Sequence, residues 1–343
     1  MGTRLTRHPV WQPATTDCRT PMPTKTRDLA VRLKPLTDWL VYFLIRVFIC
    51  VIQATPFDTC VSICRGLAFL ACDVVRLRAR VVDDNLKHAF PDWDAKTRHQ
   101  CARQMWEHLF IMVAEIAHVR RVIHEMTWRK YISFPTKAVM VQQLLDPRPT
   151  VLVTGHYGNF EVAGYVLGMY GFPTFAIARK LDNPYLDRFV NQFRASTGQF
   201  ILPKQGCAPQ VEAVLQMGGI LSLLADQYAG EKGCWVEFMG RPASCHKAVA
   251  LFTITSGAPL VISYLRRAQR PMHFEIGVTG VADPQTWDGS LAGVKPLTRW
   301  YNEGLEQLIR ETPEQYWWVH RRWKGQPPAR RAKANPAAES KAA

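Results

Sequence analysis

The fold is decided by one stretch in the middle of the chain, Val151-Leu-Val-Thr-Gly-His-Tyr-Gly-Asn-Phe-Glu161. The run 150–154 is apolar and β-branched, which predicts a buried strand, and 161–169 has the composition of a helix. Gly155 and Gly158 lie between them, where they make a sharp turn easy. A strand, a turn and a helix in succession predict one unit of a parallel sheet covered by helices, with His156 at the carboxyl end of its strand.

The same alternation extends through the C-terminal half of the chain. Further strands are predicted at 174–178, 199–202, 220–224, 259–264 and 272–278, and helices at 184–197, 209–217 and 296–311. Upstream, apolar residues at helical spacing in 95–122 predict that 76–130 is helical. The sequence therefore predicts an α/β fold with a central, mostly parallel sheet flanked by helices.

Two apolar segments precede this region, at 39–54 and 60–75, and each contains one arginine, Arg46 and Arg65. A clean transmembrane helix needs roughly 20 apolar residues, and a central arginine costs about 2.5–3.5 kcal/mol on insertion scales. We therefore predict that 36–75 forms N-terminal membrane-associated helices that dip into the membrane or lie on it. A single true span and a pair of buried core helices are the alternatives.

The two ends of the chain differ from the rest in composition. Residues 1–35 are polar, basic and contain proline, and 326–343 consist mainly of Pro, Ala, Lys and Arg. Such segments do not bury enough apolar surface to fold, so both are predicted to be disordered. The remaining segment, 76–325, is predicted to be the catalytic domain.

The formal charge of +15 predicts an anionic partner, which is nucleic acid, an acidic membrane surface or a phosphorylated substrate. The sequence has no helix-turn-helix, zinc-finger or RNP pattern, so nucleic acid is the least favoured of the three. Nine cysteines without a CxxC pair indicate reduced thiols in a cytosolic setting and give no zinc pattern.

His156 and Glu161 are the candidates for acid–base chemistry. Transfer of an acyl group from a thioester to an alcohol needs a base for the alcohol proton, and histidine is suited to that near pH 7. A carboxylate on the other ring nitrogen would fix the tautomer and stabilise the imidazolium. Spacing by itself leaves a structural histidine equally open, because about one His–acid pair at this separation is expected by chance.

Several segments, taken in order, make the chain similar to a known family. Gly155–Glu161 resembles the HX4(D/E) signature of the bacterial lipid A late acyltransferases. Five more elements resemble those of the family: Asn-Leu-Lys-His-Ala-Phe-Pro at 85–91, Arg-Lys-Leu-Asp-Asn-Pro at 179–184, Asp-Gln at 226–227, Phe-Met-Gly-Arg-Pro-Ala at 238–243 and Glu-Gln-Tyr-Trp-Trp-Val-His-Arg-Arg-Trp-Lys at 314–324. The resemblance covers about residues 36–325.

The resemblance implies a glycerolipid-acyltransferase-like fold and an acyltransferase with the catalytic pair His156 and Glu161. The donor would be acyl-carrier protein or acyl-CoA, and the acceptor a hydroxyl of a phosphorylated glycolipid, foremost a lipid A precursor. It further implies an inner-membrane location with the catalytic domain facing the cytoplasm, contact with an anionic membrane surface, no nucleic acid, and no metal or other cofactor. The implied substrate-binding residues are Arg179, Asn183, Lys204, Asp226 and Gln227.

One segment departs from the family pattern and leaves the acceptor open. The family usually has small residues and threonines after its Pro-Ala step, whereas this chain has His246 and Lys247 there. The mannoside acyltransferases of actinobacteria share the HX4(D/E) core, so another glycolipid or a phospholipid is an alternative acceptor. A catalytically inactive membrane-surface protein with the same fold is the second alternative.

Overall fold

The computed structural model describes residues 25–328 of the 343-residue chain. Its helices are α1 (Lys25–Ala54), α2 (Phe57–Phe69), α3 (Ala79–Ala89), α4 (Ala95–Val122), α5 (Lys137–Leu144), α6 (Phe160–Met169), α7 (Pro184–Ala195), α8 (Ala208–Gln216), α9 (Lys247–Ser256) and α10 (Val294–Glu311). Its strands are β1 (Ile132–Ser133), β2 (Thr150–Thr154), β3 (Thr174–Ala178), β4 (Gln199–Pro203), β5 (Ile220–Leu224), β6 (Cys234–Phe238), β7 (Arg241–Cys245), β8 (Leu260–Arg267) and β9 (Phe274–Ala282).

Seven of these strands form one sheet in the order β1-β9-β8-β2-β5-β3-β4. β8, β2, β5, β3 and β4 run parallel, whereas β9 is antiparallel to β8 and β1 follows the direction of β9. The mostly parallel sheet between helices confirms the predicted α/β fold. Because β2 and β5 are direct neighbours, the residues that follow these two strands lie side by side at the carboxyl edge of the sheet.

The central strand β2 is buried on both faces, as its apolar sequence predicts. Val151 and Val153 belong to one core cluster, and Leu152 belongs to a second cluster on the other face, as the alternation of side chains along a strand requires. None of the three is more than 1% exposed, and burial of each side chain stabilises the fold by about 1.5–3 kcal/mol. This strand therefore gives the turn after it a rigid base.

The predicted strands at 150–154, 174–178 and 220–224 have the observed bounds, and most other predicted elements differ by a few residues at their ends. The separate hairpin β6–β7 is not predicted by the sequence pattern. Its turn consists of Met239 and Gly240, both at positive φ (52° and 78°). Methionine rarely occupies such a turn position, so the usual Asn-Gly or Asp-Gly signal of a hairpin is missing.

The boundary predicted at residue 35 falls inside α1, which begins at Lys25. Residues 25–34 include Lys, Arg, Leu and Ala, which are good helix formers, and Pro35 is accommodated within the helix. The rest of the predicted disordered segments, residues 1–24 and 329–343, lies outside the described residues.

The apolar part of α1, Leu33–Ala54, is a 22-residue segment that is long and apolar enough to cross a membrane, and none of it is buried in the protein. This exposure excludes a buried core helix for α1. α2 differs, since its Cys60, Val61 and Cys64 pack against α4 while its other face is exposed. A π-helical turn, Leu70–Val74, continues α2 towards α3.

Candidate active site

His156 and Asp226 meet at the carboxyl edge of the sheet because their strands are in register. Thr154 pairs with Leu224 at the ends of β2 and β5, so the residues two positions further on are also adjacent. The Nδ1 atom of His156 lies 2.8 Å from the Oδ1 atom of Asp226, and the backbone N–H of His156 donates to Oδ2 at 2.8 Å. One carboxylate therefore fixes both the ring and the backbone of His156.

The carboxylate on His156 Nδ1 is thus that of Asp226 and not that of Glu161, which the spacing along the chain predicts. Glu161 is in the first turn of α6, where its carboxylate accepts hydrogen bonds from the Nε and Nη2 atoms of Arg194, at 2.9 and 2.5 Å. Spacing along the chain favoured Glu161, but the parallel pairing of β2 with β5 brings Asp226 closer. Asp226 had been placed in the same crevice as a substrate-binding residue.

The electrostatic surroundings of His156 favour its protonated form. Burial lowers the pKa of His156, but the Asp226 carboxylate, by charge and hydrogen bond, and the charge of Glu161 together outweigh it, so the pKa lies above its ordinary value. Burial in turn raises the pKa of the Asp226 carboxyl, and the charge and hydrogen bonds of His156 outweigh that effect and hold it well below its usual range. Asp226 is fully buried and ionised, and the His156 side chain is 13% exposed. The arrangement suits a histidine that accepts a proton on its exposed side.

The backbone of the turn after His156 is held by hydrogen bonds to two neighbouring segments. Gly158 N–H donates to the Gln315 carbonyl at 2.9 Å, and Asn159 N–H donates to the Leu265 carbonyl at 2.9 Å. Gly158 has φ +59°, and a Cβ atom built there would lie 2.0 Å from the carbonyl oxygen of Leu265. Only glycine fits this position, so the glycine of the motif is required by its backbone conformation and by close approach to β8.

A buried ionic network beneath the turn was not predicted from the sequence. Glu115 of α4, which is fully buried, forms a bidentate pair with Arg267 at 2.7 and 2.8 Å and accepts a hydrogen bond from the Asn159 side chain at 3.0 Å. Arg267 also contacts His108 Nδ1 at 2.8 Å. Burial and the Arg267 charge hold the pKa of His108 well below its ordinary value, so the neutral ring accepts from Arg267 and donates to the Gly158 carbonyl. The one sequence signal for this network is the helical periodicity of α4, which places Glu115 on the side of the helix that faces the core.

The exposed side of the His156 ring is lined by aromatic and polar groups. The rings of Phe160, Trp317 and His320 lie 5.1, 5.1 and 4.9 Å from it, centroid to centroid. The Gln227 side-chain nitrogen lies 3.2 Å from His156 Nε2 and 3.5 Å from His320 Nε2. Gln227 therefore contacts the ring nitrogen of His156 that faces away from Asp226.

The C-terminal segment around His320 is fastened to α3 by one buried side chain. The Asn85 amide donates to the carbonyls of Trp318 and His320, both at 2.7 Å. Burial and the nearby charge of His156 lower the pKa of His320 to about 4. His320 is thus a neutral group in the site.

The three remaining residues predicted to bind substrate have different surroundings. Arg179 and Lys204 follow β3 and β4 at the same edge of the sheet, and the 76% exposed Arg179 pairs with Asp182 at 2.8 Å. Asn183 caps α7 through the amides of residues 185 and 186, and its amide donates to the Asp38 carbonyl of α1 at 2.7 Å. The contacts of Asn183 are structural, and they join α1 to the catalytic edge.

An apolar cavity of about 60 Å³ lies between α6 and the sheet, with Glu161 and Arg194 in its lining. This volume corresponds to about two water molecules. It is far smaller than a fatty acyl chain, so the observed conformation of this cavity does not enclose one.

Comparison with known proteins identifies relatives over nearly the whole catalytic region. The family model described as bacterial lipid A biosynthesis acyltransferase matches residues 28–325. The chain is 24% identical over 298 residues to the lipid A biosynthesis lauroyltransferase of Escherichia coli K12, covering 84% of this chain and 92% of the relative. It is 21% identical over 299 residues to the lipid A biosynthesis palmitoleoyltransferase of the same organism, with the same coverage.

Among solved structures, the chain is similar to the 1-acyl-sn-glycerophosphate acyltransferase PlsC from Thermotoga maritima. The identity is 11%, the TM-score is 0.36, and the match covers 74% of this chain and 96% of that protein. This similarity is too distant to guide residue assignments.

Proposed function

Because the chain belongs to the family of bacterial lipid A biosynthesis acyltransferases, and is thus an acyltransferase, we propose that it moves a fatty acyl chain from a thioester donor to a hydroxyl of a phosphorylated glycolipid. The donor is acyl-carrier protein or acyl-CoA, and the acceptor is a lipid A precursor. The observation that carries the proposal is the His156–Asp226 contact at the carboxyl edge of the sheet, with His156 Nε2 directed away from the carboxylate.

In the proposed reaction His156 is the general base. The acceptor hydroxyl displaces Gln227 from His156 Nε2 and gives its proton to that nitrogen, while its oxygen attacks the thioester carbonyl carbon. The C–O bond forms, the C–S bond breaks, and the imidazolium returns the proton to the leaving thiolate. The products are an ester and a free thiol, and the reaction needs no covalent enzyme intermediate, because the thioester is already activated.

Asp226 and Glu161 have separate proposed roles in this reaction. Asp226 holds the His156 tautomer with the proton on Nδ1, and its charge stabilises the imidazolium. Glu161, held by Arg194, contributes a second negative charge that raises the pKa of His156. Gln227 lines the acceptor position. Arg179 and Lys204, at the same edge of the sheet, are proposed to bind phosphate or the donor.

We place the protein at the inner membrane, with the catalytic domain on the cytoplasmic side. Support comes from the exposed apolar segment Leu33–Ala54 of α1. Its central Arg46 lies over the Phe189 ring of α7 at 4.7 Å, so this charge contacts the protein. Asn183 and Asp38 connect the start of the apolar segment to the catalytic edge, which would keep the site near the membrane surface.

The donor and the acceptor are tested together by isotope labelling. Membranes containing the protein receive acyl-carrier-protein thioester and acyl-CoA, each with a different isotope in the acyl chain, and one acceptor at a time. Mass spectrometry of the lipids is expected to detect one additional acyl ester on the phosphorylated glycolipid. Transfer to a lysophospholipid but not to the glycolipid would contradict the proposed acceptor class.

A further inference from the structure

The segment between the membrane-associated helices and α3 combines basic and apolar side chains that are all exposed. Its sequence is Arg76-Leu-Arg-Ala-Arg80, and it directly follows the π-helical turn. Arg76 and Arg78 both have φ +54°, in the left-handed region that residues other than glycine rarely adopt. Such strained backbone persists where the surrounding structure holds it, and it is concentrated at binding sites.

Exposed apolar residues precede these arginines and continue among them. Phe69, Leu70, Val74, Val75 and Leu77 are each about half exposed, at 46–61%. A contiguous apolar surface of this kind is typical of a surface that enters a lipid bilayer. The arginines at its end would then lie at the depth of the lipid head groups, with their aliphatic stems along the apolar surface.

These arginines form no salt bridge within the part of the protein that the structure describes. Across residues 33–328, no carboxylate lies within salt-bridge distance of Arg76, Arg78 or Arg80, whereas Arg179, also exposed at the catalytic edge, pairs with an aspartate. Arg78 donates one N–H to the Val319 carbonyl at 2.8 Å. A guanidinium has five N–H donors, so most of those of Arg78 remain for an anion.

The same hydrogen bond joins Arg78 to the C-terminal segment that lines the site. Val319 is followed by His320, whose ring is 4.9 Å from the His156 ring and which shares Gln227 with it. Arg78 is therefore connected to His156 through two residues of the C-terminal segment, Val319 and His320.

We propose that Arg76, Arg78 and Arg80 bind a phosphate group of the glycolipid acceptor at the membrane surface and so bring its hydroxyl to His156. The guanidinium fork matches phosphate geometry, and three such groups without carboxylate partners favour a dianionic ligand. The acceptor's phosphate is favoured over the phosphates of bulk lipid because of the connection from Arg78 to His320. This inference rests on the proposed function, since it names how that acceptor is held.

The test uses the double variant Arg76→Gln/Arg80→Gln in the full-length protein, because replacement of Arg78 would also remove its contact with Val319. The matched control is Lys295→Gln/Arg299→Gln, which removes two exposed cations from α10. KM and kcat are measured in detergent micelles with the phosphorylated glycolipid and with the same glycolipid after phosphatase treatment. The loss of one charge-assisted contact corresponds to about a tenfold rise in KM or more.

We expect KM for the phosphorylated acceptor to rise by at least about tenfold in the double variant, with little change in kcat. KM is expected to change little in the control variant. The double variant is also expected to show little change in KM for the dephosphorylated acceptor. An unchanged KM, or an equal rise for both acceptors, would overturn the proposal. Loss of binding to anionic phospholipid vesicles with an unchanged KM in micelles would assign the arginines to bulk lipid and overturn it as well.

Direct binding separates this proposal from the proposed function. Flotation with phosphatidylcholine vesicles that carry the phosphorylated glycolipid measures binding without catalysis. If the wild type transfers no acyl group but binds these vesicles more tightly than the double variant does, the proposed function fails and the arginine site stands. Equal binding of both proteins would refute the site whatever the activity.

Discussion

Replacement of Asp226 by asparagine is the perturbation that best separates the observed site from the one predicted by chain spacing. Asp226 accepts two hydrogen bonds from His156, one from the backbone N–H and one from Nδ1. Asparagine has one oxygen, so only one of the two contacts survives as before. If its oxygen stays on the backbone N–H, its amide group faces Nδ1, and the ring proton moves to Nε2, where it blocks the acceptor hydroxyl.

The size of the effect follows from the charge that is lost. A unit charge about 4 Å from the imidazolium contributes about 4 kcal/mol at an effective dielectric constant of 20. That free energy corresponds to about a 10³-fold lower kcat. The equivalent substitution in a Ser-His-Asp triad lowers kcat by about 10⁴, mainly through the wrong tautomer. We therefore expect Asp226→Asn to lower kcat by about 10³–10⁴ with a small change in KM.

The assay is initial-rate acyl transfer with purified wild type, Asp226→Asn and the control Asp283→Asn. Asp283 is a carboxylate that is 15% exposed and is paired with Arg148 at 2.8 Å beyond the end of β9, away from His156. Thermal melts of all three proteins identify effects that arise from stability. An Asp226→Asn enzyme that is folded and within about threefold of the wild-type kcat would refute the orienting role of Asp226.

Three further predictions follow from the same geometry. The pKa of His156 lies above its ordinary value, and the base works when neutral, so kcat/KM is expected to fall as the pH falls through that raised pKa; a pH–rate profile flat between pH 6 and 8 would contradict this. Glu161→Gln is expected to shift this profile to lower pH and to lower kcat by less than Asp226→Asn does, since Glu161 contacts Arg194 and not the ring. A loss of kcat larger than that of Asp226→Asn would instead support Glu161 as the residue that orients His156. Gly158→Ala is expected to destabilise the protein by more than about 2 kcal/mol, since its Cβ would meet the Leu265 carbonyl at a positive φ, and an unchanged melting temperature would count against this.

Local sequence was sufficient to predict six of the seven strands of the main sheet, all except β1. Runs such as Thr150–Thr154 and Ile220–Leu224 are largely apolar because helices cover both faces of the sheet, and the turns between them carry glycine or proline. The hairpin β6–β7 was not predicted, because methionine occupies a turn position at which asparagine or glycine is usual.

The site was predictable in its members but not in its pairing. His156, Glu161, Asp226 and Gln227 all follow strands or begin helices at one edge, which the sequence indicates. The contact of Asp226 with His156 depends on strand order. β5 lies beside β2 in the sheet, although β3 and β4 lie between these two strands in the chain. Strand order arises from long-range packing, which no local pattern contains.

The buried network around Glu115 illustrates the same limit. Glu115 lies on the buried side of α4, and its partners come from segments far along the chain, Asn159 and Arg267. A buried charge is tolerated only when it is paired. The sequence of α4 alone does not give the partner of a glutamate on a predominantly apolar helix face. The network therefore emerges only when the fold brings the segments together.

We propose that His156 is the base of an acyl transfer to a phosphorylated glycolipid. This proposal is tested most directly by transfer of a radiolabelled acyl chain from acyl-carrier protein to a tetra-acylated lipid A precursor, in membranes that contain the wild type or His156→Ala in equal amounts. We expect the wild type to form a labelled product with one additional acyl chain, and the folded variant to form it at a rate at least about 10³-fold lower. Transfer by His156→Ala at the wild-type rate would contradict it.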